Sequence, residues 1–105
     1  PTEPAERATT TTASTEQITL TRTFANGVHR FVGEVLKPTP CHQLSYDVTI
    51  AESYPEQVRI AFTTSSTAAM CAQVITSEAV DLAVPASAAA TFTVYVDGQL
   101  QPLAL

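Results

Sequence analysis

Tryptophan is absent from this 105-residue chain, methionine and asparagine occur once each, glycine three times and cysteine twice. Three widely spaced glycines cannot build the glycine-rich loop that cradles a phosphate. The single asparagine, Asn26, precedes Gly27-Val28 and forms no N-glycosylation sequon. No Gly-x-Ser-x-Gly occurs, so a serine nucleophile has no sequence support. Charge is equally sparse: Asp, Glu, Lys and Arg supply 14% of residues, against about 25% in average usage. The basic residues Arg7, Arg22, Arg30, Lys37 and Arg59 are scattered, and the net charge of -5 opposes a phosphate backbone or an anionic bilayer. Nucleic acid is therefore excluded as a partner. No apolar run approaches the roughly 20 residues of a membrane-spanning helix, and the chain shows no helical periodicity.

What fills the sequence is Thr, Ser and Ala together with β-branched and aromatic residues in alternation. From Glu16 onward the period is two, the mark of strands with one buried face. "EQITLTRTF" places Ile18, Leu20 and Phe24 on one side and Thr19, Thr21 and Thr23 on the other. Asn26-Gly27 then predicts a type I′ hairpin into "VHRFVGEVL". "QLSYDVTIA" alternates cleanly, with Leu44, Tyr46, Val48 and Ile50 inward, and "QVRIAFT" follows with Val58, Ile60 and Phe62 inward. Antiparallel pairing of these two requires a connecting loop of three or five residues and sets Asp47 diagonal to Arg59. "CAQVIT" and "AVDLAV" read as two short strands bent near Ser77-Glu78. "TFTVYV" reads as a central strand, Asp97-Gly98 as a second hairpin turn, and the tail as an edge strand because Pro102 lacks a ladder donor.

These elements predict an all-β, antiparallel immunoglobulin-like β-sandwich of seven or eight strands with one disulfide, a small barrel being the alternative. Residues 1–15, "PTEPAERATTTTAST", contain no large apolar side chain and are expected to form a disordered Thr/Pro-rich linker; residues 16–105 form the domain. The missing Trp and the short Cys-to-Cys spacing exclude antibody domains. The strand pattern from Glu16 to Leu105 behind a Thr-rich leader resembles the small extracytoplasmic immunoglobulin-like domains of bacterial secreted proteins and lipoproteins. That resemblance implies a cell-envelope, periplasmic or secreted setting. A signal peptide or lipid-anchoring cysteine would lie upstream of Pro1.

Cys41 and Cys71 are expected to form a disulfide, which points to an oxidising, extracytoplasmic compartment. A Cys41 nucleophile would need a base within reach, and the adjacent His42 points to the other face of a strand. His29, expected on a partly exposed face, is the other possible base. No catalytic set emerges and no cofactor is expected. The leading expectation is a non-catalytic binding or envelope-structural module that meets another protein or envelope component through loops or a sheet edge. Its candidate contact residues are Pro38, Thr39, Pro40 and His42, before the third strand, and Tyr54 in the turn "ESYPE". Two alternatives stand beside it. The proline-stiffened 37–43 segment, read as extended and tied by a disulfide, would suit a peptidase inhibitor. His29, His42, Met70, Cys41 and Cys71 would suit a carrier of copper or another metal.

Overall fold

The computed structural model describes residues 9–66 and 70–105. These form eight strands and no helix: β1 (Thr9–Ser14), β2 (Ile18–Ala25), β3 (Val28–Lys37), β4 (Gln43–Ala51), β5 (Gln57–Ser65), β6 (Thr76–Pro85), β7 (Thr91–Val96) and β8 (Gln99–Gln101). They assemble into two four-stranded sheets, ordered β1-β2-β3-β6 and β4-β5-β7-β8. Each sheet is a separate ladder, so the fold is a sandwich and not a closed barrel. All pairs are antiparallel except β5 and β7, which run parallel. The order differs from the ABED and CFG sheets of constant-type immunoglobulin domains.

Both hairpins form where the turn chemistry demands them. Asn26 and Gly27 have φ of 54° and 78°, Asp97 and Gly98 of 49° and 81°. Positive φ at both central positions is the type I′ geometry whose twist matches the flanking strands. β4 and β5 pair with Ala51 opposite Gln57, closing a five-residue loop. Their register does set Asp47 diagonal to Arg59, yet the Arg59 guanidinium lies 4.3 Å from the centre of the Tyr95 ring.

The core gathers the inward positions of both sheets: Ile18, Leu20, Phe31 and Val35 with Val80, Leu82 and Val84 from one, Val58, Ile60, Phe62, Val94 and Val96 from the other. Full burial of side chains such as Phe31 or Phe62 contributes about 1.5–3 kcal/mol each. Gly33 occupies an inward position where a Cβ would collide with the Thr19 carbonyl, which lets β2 and β3 approach closely.

Three expectations change. Thr9–Ser14, read as part of the linker, forms β1 and pairs along β2 from Thr9 opposite Phe24 to Ser14 opposite Thr19. Threonine favours extended backbone, the ladder satisfies one edge of the segment, and the Thr12 and Thr21 hydroxyls meet at 2.9 Å. Residues 1–8 of that linker, and residues 67–69 of the loop "TSSTAA", lie outside the described residues. "CAQVIT" is not a strand: residues 71–75 are irregular, and β6 runs unbroken from Thr76 to Pro85 because β3 pairs with its whole length, through Ser77 and Glu78.

The third change concerns β4. The Gln101 amide bonds Thr15 and Gln17, so the start of β2 lies over β8. Phe31 and His29 of β3 pack edge-on against Phe92 of β7. β4 is the edge strand of its sheet, and of its inward residues Leu44 and Val48 reach the core only in part. Tyr46 and Ile50, expected inside, accordingly remain 53% and 38% exposed.

Candidate functional site

The expected contact residues fall at opposite ends of β4. Pro38, Thr39, Pro40 and His42 precede its first residue; Tyr54 follows its last, in the loop 52–56, and is 80% exposed. A nine-residue strand separates them by roughly 30 Å, so they form two surfaces.

At the first end, Cys41 and Cys71 are joined by a disulfide with Cα atoms 6.2 Å apart. The bridge ties the start of β4 to the irregular segment that leads into β6. Thr39 organises the loop between β3 and β4. Its hydroxyl accepts a bond from the Cys41 amide at 3.2 Å and lies 2.8 Å from Nδ1 of His42, while its carbonyl accepts from the His42 amide at 3.2 Å. The segment is therefore a closed turn spanning Thr39 to His42, not the extended strand an inhibitor would insert into a protease. Thr39, at 5% exposure, is a positioning residue within the loop and not a surface contact. Pro38 and Pro40 are exposed, and His42 is half-buried.

Beside this turn lies an open cleft of about 480 Å³, lined by Glu16 and Gln17, by Leu36, Lys37 and Pro38 from the end of β3, by Gln73 and Ile75, and by Asp97. Its walls come from four segments that the fold brings to one end: the β1–β2 turn, the β3–β4 loop, the disulfide-bound segment and the β7–β8 hairpin. Leu36 and Ile75 are exposed hydrophobics, as is Val74, which precedes Ile75 in the chain. The Lys37 ammonium is buried and donates to Glu78 at 2.8 Å, which neutralises it. Asp97 is held by the Thr64 amide and hydroxyl at 2.7 and 2.8 Å. The rim carries two carboxylates, Glu16 and Asp97, around an apolar floor.

At the opposite end of the domain a polar chain penetrates the core. His29 is fully buried, contrary to the expected partly exposed face, with its ring between Phe24 and Phe92 at centroid distances of 4.5 and 4.6 Å. Its Nε2 donates to the Ser87 carbonyl at 2.8 Å, and its Nδ1 accepts from Arg22 Nη1 at 3.1 Å. Ser87 donates its amide and hydroxyl to Glu56 at 3.1 and 2.6 Å. A carbonyl on one nitrogen and a guanidinium on the other fix the neutral imidazole in one tautomer. Burial pushes the His29 pKa below its ordinary value, and the Arg22 charge adds to that. The Ser87 hydroxyl and amide hold the Glu56 carboxyl below the usual range. The signal for this network was present: Arg22 shares the parity of Ile18, Leu20 and Phe24, and His29 that of Phe31 and Val35, so both are polar residues in phase with the core.

The residues considered for metal binding are not assembled. His29 is buried at one end, His42 sits at the other, both cysteine sulfurs are consumed by the disulfide, and Met70 is exposed. Among the described residues no three of His, Cys, Asp or Glu converge. Comparison with protein-family models, with curated proteins and with solved structures finds no match.

Proposed function

We propose that the chain is a non-catalytic extracytoplasmic binding module, built on an immunoglobulin-like two-sheet plan, that holds a protein partner at its disulfide-tied end. The observation that carries this reading is the cleft between Leu36, Pro38 and Ile75. It sits where the disulfide and the Thr39 turn remove conformational freedom from both walls before any partner arrives. Preorganised walls lower the ordering cost of association, and proline-rich turns with exposed aliphatic side chains supply dry contact area. With Lys37 neutralised by Glu78, the carboxylates of Glu16 and Asp97 set the sign of the rim. The complementary partner is an exposed peptide segment with an apolar side chain next to a lysine or arginine. The disulfide supports the extracytoplasmic setting, since such bonds persist in oxidising compartments.

The test is selection from a displayed library of random peptides against the oxidised protein, with the Ile75→Asp variant as the counter-target. The expected result is a family of peptides sharing a basic residue beside an apolar one, which the variant fails to retain. Peptides without that pairing, or peptides the variant retains equally, contradict the proposal.

A further inference from the structure

The domain has four strands at sheet edges, and three carry a feature that discourages further pairing. β8 has three residues and runs into Pro102; β6 ends at Pro85 and carries Glu78 and Asp81; β1 is six residues long and contains no large apolar residue. β4 has none of these protections. It is nine residues long, contains neither proline nor lysine, and bears one charge, Asp47. An extended edge of this kind is a template for another strand. Its inner face is only partly covered: Leu44 and Val48 pack against the core, while Tyr46 and Ile50 lie open on the side where apolar residues belong.

We propose that β4 pairs antiparallel with β4 of a second copy of this chain, about a two-fold axis at Val48, to make one continuous eight-stranded sheet. The sequence of β4 selects this partner and this register. A two-fold axis at Asp47 would bring two carboxylates face to face, and an axis at Tyr46 would oppose Ile50 to His42. With the axis at Val48, the two Val48 residues meet, each Tyr46 opposes the partner's Ile50, and each Asp47 opposes the partner's Thr49. Three consecutive apolar pairs then occupy the inner face and no like charges meet. Opposed Cβ atoms in such a ladder lie about 4.5–5.5 Å apart. The same edge serves both copies, as an isologous interface requires. One strand pair with a narrow side-chain strip is a small interface, below about 1,200 Å², so the dimer is weak and concentration-dependent.

Sedimentation equilibrium of the whole chain tests this with Tyr46→Lys and Ile50→Glu, alone and mixed, after circular dichroism has established that each variant is folded. The wild type is expected to dimerise reversibly below about 1 mM, the range of weak protein association, and each single variant to shift to monomer. Mixing the two variants should restore dimers, because the axis at Val48 opposes position 46 of one copy to position 50 of the other and creates a Lys–Glu pair. A wild type that stays monomeric leaves the edge to a foreign strand and overturns the proposal. Single variants that dimerise like the wild type, or a mixture that stays monomeric, overturn it as well. Should either variant fail to fold, Val48→Cys provides the second readout: mild oxidation must cross-link two copies through position 48, and monomers alone contradict the two-fold register.

Discussion

His29 has both ring nitrogens committed in its neutral form, so a proton has nowhere to go without displacing the Arg22 guanidinium. The folded state therefore holds that proton less tightly than the unfolded chain, whose histidine titrates near 6.5. Below that value the unfolded state binds more protons, and stability falls as pH falls, by at most about 1.4 kcal/mol per pH unit from this one group. Above it the contribution is fully present. Glu56 acts in the same direction at lower pH, since its depressed carboxyl is lost on protonation. Urea titrations between pH 7.5 and 5 should show the decline for the wild type and a shallower slope for His29→Gln; parallel slopes would mean that His29 is not the titrating group. The parity of Arg22 and His29 matches that of the core residues, a signal the expectation of a partly exposed His29 passed over. Their pairing left no such signal, because the contacts run from β2 to β3 and on to Ser87 in the loop after β6, across spacings no local pattern encodes.

Among the elements, β4 and β7 were legible to the residue, since uninterrupted alternation and flanking turn residues bound them on both sides. The hairpin turns followed from Asn-Gly and Asp-Gly for the same local reason. β1 escaped because its threonines present no alternation of apolar and polar residues, and it forms a strand only by pairing with β2. β6 looked divided because Ser77 and Glu78 break its apolar pattern, while the β3 ladder carries the backbone through them. The exposure of Tyr46 and Ile50 was illegible for a further reason: alternation reports which face turns inward, and the facing sheet decides whether that face is covered. The disulfide closes a separation of 30 residues between the β3–β4 turn and the segment before β6. The chain-entropy model assigns such a loop about 3–4 kcal/mol. Replacing Cys41 and Cys71 together by serine should lower unfolding free energy by that order in denaturant titrations. A change below about 1 kcal/mol would mean that the neighbouring hydrogen bonds hold the end closed unaided.

At the scale of the whole molecule, the fold sorts its chemistry to two ends. The Arg22-His29-Ser87-Glu56 chain and exposed Tyr54 occupy one; the disulfide, the Thr39 turn and the apolar, acid-rimmed cleft occupy the other. The cysteine pair and the proline loop marked the second end in the sequence. The cleft did not show, because its walls are separated by up to 81 residues, from Glu16 to Asp97, and meet only through the sandwich. The most direct test is to titrate a selected basic-apolar peptide into the isotope-labelled domain and follow backbone amide resonances. Shifts are expected to concentrate at Gln17, Leu36, Lys37, Gln73, Ile75 and Asp97. Shifts centred on Tyr54 and the 52–56 loop would contradict binding at the cleft.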